Sequence, residues 1–217
     1  MGEGIKDKEG RKVRHHDWIE IVAAVLLALA TVASAWSAYQ SSRWHGVQAM
    51  AYATSNASRI HSSAAGDLAD QQIAVDAGLF SDYCYAYAEG EMRLVSFYEN
   101  RMFRPEMKAA VEAWKATQPL INPDAPASPF EMKEYKNKNR QNAQSLEKTA
   151  QKYTAKAQAA IEHADNYILL TVLFASVLFF AGISTKFGTW RIRVVLLSLG
   201  GLVFIGSLVA LTFQPVH

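Results

Sequence analysis

The stretch IVAAVLLALATVASAWSA, residues 21–38, contains no charged residue. As a helix rising about 1.5 Å per residue it reaches across most of the roughly 30 Å hydrocarbon layer of a bilayer. Two further stretches of this kind lie near the other end of the 217-residue chain, YILLTVLFASVLFFAGI at 167–183 and VVLLSLGGLVFIGSLVALTF at 194–213. The expected fold is therefore an all-α membrane protein. Its three transmembrane helices are expected at 17–40, 166–184 and 194–213, with an elongated antiparallel helical bundle inserted between the first and second.

Whole-chain averages conceal this, because a mean hydropathy near zero and 19% charged residues are ordinary for a soluble domain. Five of the 22 basic residues (Lys6, Lys8, Arg11, Lys12, Arg14) lie in segment 1–16, and three (Lys186, Arg191, Arg193) in the loop 185–193. The middle of the chain holds the other 14 basic residues against 15 acidic ones. Such a balanced segment offers no electrostatic attraction for nucleic acid.

Lys and Arg in short loops beside spans stay on the cytoplasmic side. The N-terminus 1–16 and the loop 185–193 are accordingly expected in the cytoplasm, and residues 41–165 and the tail 214–217 outside. Interface side chains agree: Trp18, Glu20, Trp190, Arg191 and Arg193 at the inner level, and Trp36, Tyr39, Trp44 and Tyr167 at the outer. Glu20, one turn inside Asp17, is expected to pair with a basic residue of the 185–193 loop. A cleavable signal peptide is the rival reading of the first span, given its basic start and Ala33-Ser34-Ala35. Against it, the helical pattern continues past that point.

Within the first span Ala24, Ala28, Thr31, Ala35, Ala38 and Ser42 recur at intervals of four and three, forming one stripe of small side chains on a helix. Small stripes allow close helix approach in lipid. Two partners are open for this one: the chain's own other spans, which is the simpler expectation, or a second copy.

Beyond the first span the absence of Pro from Gln40 to Gln72 predicts a stalk helix. A second helix is marked by Phe80, Cys84, Tyr87, Leu94 and Tyr98, and a third starts near Pro105 with Met107, Val111 and Trp114. Pro119, Pro123, Pro126 and Pro129 predict an exposed tip loop at 118–130. Glu131 to Asp165 contains no Gly or Pro and is expected to run as one helix into the second span, with Ala150, Ala157, Ala160 and Ala164 drawing its partner close.

Chemical motifs are missing. Cys84 is the only cysteine, which rules out an intramolecular disulfide. The six histidines do not form a zinc-hydrolase pair, and no phosphate loop or nucleophile elbow occurs. His61 and His163 are candidates to face each other on neighbouring helices, although solvation explains both. His15 and His16 could titrate near an inner leaflet. No catalytic residue, metal site or cofactor is expected. The spans also lack deep ionisable residues of the kind that mark transport paths.

Trp36-Ser37-Ala38-Tyr39-Gln40-Ser41-Ser42-Arg43-Trp44 and Phe180-Ala181-Gly182-Ile183-Ser184-Thr185-Lys186-Phe187 resemble the sequences closing the first two spans in a family of uncharacterised bacterial inner-membrane proteins. The resemblance implies a bacterial cytoplasmic membrane and no established activity. In topology the chain also resembles chemoreceptor sensory domains, but it lacks their cytoplasmic signalling module. Three function classes follow. The first is a non-enzymatic structural or accessory protein in contact with the lipid bilayer and with copies of itself or a membrane-protein complex. The second is a ligand-binding subunit using Phe80, Tyr83, Tyr85, Tyr87, Phe97 and Tyr98. The third is an oligomeric channel lined by Thr31, Ser34, Ser37 and Gln40.

Overall fold

A computed structural model describes the backbone of residues 6–217 and the side chains from Trp18 onward. The expectations for segment 1–16, including His15 and His16, lie outside the described residues. Seven helical elements follow in order: α1 (Lys6–Ala88), α2 (Met92–Phe97), a π-helical turn (Tyr98–Met102), α3 (Pro105–Ala116), a 3-10 turn (Pro129–Glu131), α4 (Lys138–Ser184) and α5 (Trp190–Thr212). No strand occurs among the described residues. Three helices, α1 from Trp18, α4 and α5, are long and apolar enough to cross a membrane. α1 passes through Ala33–Trp36 without a break.

The chain divides into two compact units. One holds the chain up to Ala53 together with Thr154–His217, and the other is Thr54–Tyr153. In the first unit, α4 buries Tyr167, Leu170, Phe174, Val177 and Ala181. Phe174 meets Phe204 of α5 with ring centroids 5.8 Å apart. A side chain added at Gly200 of α5 would sit 3.3 Å from Phe180 Cβ and 3.6 Å from Leu26, so α1, α4 and α5 meet closely there and Phe180 would have to shift by a few tenths of an ångström to admit one. Ser37, Thr171, Ser176 and Ser207 bond the carbonyl four residues earlier in their own helices, which satisfies each hydroxyl locally.

In the second unit, α1 and α4 run in opposite directions. Ser55 Oγ donates to the Ala150 carbonyl at 2.9 Å and Ser62 Oγ to that of Ala143 at 2.8 Å. Further along α1, Asn137 Nδ2 reaches the Ala69 carbonyl at 3.4 Å and Gln72 Oε1 at 3.2 Å. Side-chain hydroxyls can touch a neighbouring backbone only where the facing residues are small, and Ala65, Ala69, Ala143 and Ala150 are all buried here. Ala157, Ala160 and Ala164, in the first unit, are buried as the sequence predicts.

Three helix boundaries differ from expectation. The stalk and the first half of the supposed second helix are one uninterrupted helix ending at Ala88. There Gly90, at φ +76°, closes a Schellman turn: Glu91 N donates to the Ala86 carbonyl at 2.9 Å and Gly90 N to that of Tyr87 at 3.2 Å. Beyond the break the face is not the expected one: Leu94 is exposed while Val95 beside it is buried, and Tyr98 packs against the core from the π-helical turn. α4 begins at Lys138 rather than Glu131. Asn137 caps it, its Oδ1 accepting from Arg140 N at 3.0 Å, and Tyr135 ahead of the cap is drawn inward by a hydrogen bond. The third span starts four residues early, so Trp190 to Arg193 form its first turn instead of a loop.

Candidate functional site

The small-residue stripe of α1 faces away from the chain. Ala24, Ala28, Thr31, Ala35, Ala38 and Ser42 are all exposed. The buried face is Ile19, Ala23, Ala30, Ser37 and Gln40, with Leu26, Ala33 and Trp44 partly covered. At about 100° per residue the two sets lie on opposite sides of the helix, and the simpler expectation of packing on the chain's own spans is corrected. Both faces recur at three-and-four spacing and both carry small residues, although the buried one also holds Ile19, Leu26, Gln40 and Trp44, so periodicity alone could not choose between them. The outward stripe continues through Gly46, Ala49 and Ala53, all exposed.

This arrangement also disperses the expected pore lining. Ser37 and Gln40 are buried inside the first unit, whereas Thr31 is exposed. Gln40 Oε1 accepts the backbone N–H of His217 at 3.1 Å, tying the tail to α1.

At one end of the first unit Arg193 is 7% exposed. Its Nε donates to the Phe187 carbonyl at 2.7 Å and its Nη2 to that of Thr185 at 3.1 Å, capping the turn after α4. Nη1 makes no hydrogen bond among the described residues and lies 3.5 Å from Glu20 Oε1. The expected pairing of Glu20 with the 185–193 segment is thus present. Arg193 is correspondingly a buried link between α1, the α4–α5 turn and α5 instead of a lipid-facing anchor, whereas Trp18, Trp190 and Arg191 are exposed.

At the other end Trp36 and Tyr39 are exposed, with ring centroids 6.0 Å apart, as interface aromatics would be. Tyr167 is not: it is 0% exposed and its hydroxyl donates to the Pro215 carbonyl at 3.3 Å. Trp44 is half-buried and donates to the same carbonyl at 3.1 Å. Its ring packs on His163 at 4.6 Å and on His217 at 5.1 Å. The Pro215 carbonyl thus satisfies two aromatic donors at once. His163 is therefore occupied by Trp44, while His61, in the second unit, is exposed.

The second unit contains two polar clusters that the sequence reading missed. Asp76, 0% exposed, receives Arg104 through Nε at 3.2 Å and Nη2 at 2.5 Å, and the Tyr135 hydroxyl at 2.8 Å. The signal was present in the sequence: Asp76 occupies the same stripe of α1 as the buried Ala65, Ala69 and Tyr83, a position where a carboxylate needs a partner. The second cluster lies where the π-helical turn brings Glu99 to accept from Tyr83 at 3.0 Å and from Lys115 at 2.7 Å. Burial works to raise the Glu99 carboxyl, but the bonds from Lys115 and Tyr83 prevail and hold it below the usual range. Burial and Glu99 together push the Tyr83 hydroxyl up.

A carboxyl depressed on folding contributes stability that is present above its unfolded value, near 4.3, and disappears as pH falls through the folded value. The stability difference between the native protein and Glu99→Gln is therefore expected to be largest at neutral pH and to shrink as pH falls below the ordinary carboxylate range. Urea unfolding of both proteins across pH 3–7 would show this, and a difference constant with pH would remove Glu99 from the account.

Beside this cluster lies an open groove of about 590 Å³, walled by Tyr83, Tyr87, Trp114, Lys115, Leu120 and Ile121. Of the aromatics expected around a pocket, Tyr83 and Tyr87 take part. Phe80 is packed in the core with Trp114 and Phe130, and Tyr85 and Phe97 face outward. No group of three His, Cys, Asp or Glu residues able to hold a metal occurs among the described residues. Compared with known proteins, the chain matches no family model, no curated protein and no solved structure.

Proposed function

We propose that this protein is a non-enzymatic accessory component of a bacterial cytoplasmic membrane, the location implied by the two motifs that resemble inner-membrane proteins. Its first span pairs with the same span of a second copy. The inserted segment 41–165 forms an antiparallel helical bundle on the outer side, where it contacts itself or a larger complex. The basic residues at 1–16 and 185–193 support this orientation.

The observation that carries the reading is the outward stripe Ala24, Ala28, Thr31, Ala35, Ala38 and Ser42. Of the two partners such a stripe could serve, the chain's own spans are already seated on the opposite face. In lipid, where apolar side chains gain nothing by leaving solvent, a small stripe favours association by allowing backbones to approach closely.

Disulfide trapping tests the seam in a Cys84→Ser background. Ala28→Cys and Ala35→Cys are expected to give crosslinked dimers in membranes under mild oxidation. Leu29→Cys, exposed on another side of α1, is expected to remain monomeric. The native mass of the detergent-solubilised protein should then be that of a homo-oligomer. A monomeric mass with no crosslink at either stripe position would overturn the reading.

A further inference from the structure

The groove in the second unit goes beyond self-association, and we infer that it binds an amphipathic monoanion, a flat apolar body bearing one carboxylate. Its volume of about 590 Å³ lies within the 300–1,000 Å³ typical of small-molecule sites. The walls come from three elements. α1 supplies Tyr83 and Tyr87, α3 supplies Trp114 and Lys115, and the loop after α3 supplies Leu120 and Ile121.

That loop is held in place. Ile121 N and Asn122 N both donate to the Gln118 carbonyl, at 3.0 and 2.9 Å, and Trp114 Nε1 donates to the Pro126 carbonyl at 2.8 Å. Gln118 adopts φ +54°, a left-handed conformation that costs a non-glycine residue energy. The loop nonetheless holds Leu120 80% and Ile121 82% exposed. Two neighbouring aliphatic side chains fixed in solvent at the rim of an aromatic groove form a wall that lacks its contents.

Charge selects the ligand. Lys115 is the one charged side chain lining the groove, and it spends a single hydrogen bond, on Glu99. An ammonium has three donors, so two remain. Lys108 also acts on Glu99, which sets two lysines of α3 against that one carboxylate. The Tyr83 hydroxyl already donates to Glu99. Tyr87 and Gln118 add neutral polar groups to the lining, so its one charged donor is the Lys115 ammonium, and the complement of that charge is an anion whose apolar part stacks on Tyr87 and Trp114. A ligand carboxylate shares Lys115 with Glu99, whose negative charge opposes it, so the protein's own acid sets the affinity.

Cys84 lines the same groove and is the chain's only cysteine, so it reports occupancy. Burial raises its thiol, which makes labelling slow enough to follow. The full-length protein in nanodiscs is treated with a small thiol reagent, with 1-naphthylacetate or the uncharged 2-(1-naphthyl)ethanol as protectant. Naphthylacetate is expected to slow labelling at a concentration about tenfold lower than the alcohol requires, the size of one charge-assisted hydrogen bond. Lys115→Gln is expected to abolish that difference while leaving protection by the alcohol unchanged. Glu99→Gln, which frees Lys115, is expected to tighten the carboxylate alone. Failure of both compounds to protect overturns the site, and equal protection with no effect of either variant overturns its preference for anions. Neither result bears on the α1 seam, which disulfide trapping tests separately.

Discussion

Arg104→Leu is expected to destabilise the second unit by about 3 kcal/mol at neutral pH. Asp76 is wholly buried and would keep only the Tyr135 hydroxyl, at 2.8 Å, against the cost of holding a negative charge away from water. Asp76→Ala should be milder, since Arg104 keeps 31% of its side chain exposed and can turn toward solvent. Limited proteolysis and thermal unfolding of the full-length variants at neutral pH would measure both effects. Equal stability of Arg104→Leu and the native protein would mean that Asp76 does not depend on Arg104.

Arg193→Ala is expected to loosen the packing of the three apolar helices by about 2–4 kcal/mol. It removes two hydrogen bonds to the carbonyls of Phe187 and Thr185, leaves a cavity where a buried side chain stood, and strands Glu20. Glu20→Gln should cost less than about 1 kcal/mol, because the Glu20 side chain is 56% exposed and water replaces its partner. The ranking separates the two roles of Arg193: a large effect at Arg193 with a small one at Glu20 means that capping the α4–α5 turn dominates. Resistance to SDS-induced unfolding in mixed micelles measures this. Equal losses for the two substitutions would make the ion pair the principal link, and no loss at Arg193 would mean that the turn is held by other contacts.

The apolar stretches at 21–38, 167–183 and 194–213 determined by themselves that three helices are long and apolar enough for a membrane, because length and side-chain hydropathy are local properties of the chain. The basic residues of the 185–193 loop likewise announced a partner for Glu20, since a carboxylate at the edge of an apolar stretch has few ways to be satisfied. Three things could not be read locally. Gly90 divides a pattern whose spacing in sequence runs on across the break, although Leu94 beyond it is exposed. The faces Ala24 to Ser42 and Ala23 to Gln40 both carry small residues at the same helical period, and only the positions of α4 and α5 decide which is covered. Asp76, Arg104 and Tyr135 lie 28 and 59 positions apart along the chain. Their meeting depends on how α1, the start of α3 and the segment before α4 pack in the second unit. Helix formation is governed by neighbours in sequence, whereas burial and hydrogen-bond satisfaction are governed by neighbours in space: Tyr83 and Tyr87 of the groove wall were legible in the first way, and the cation and the loop that complete it belong to the second.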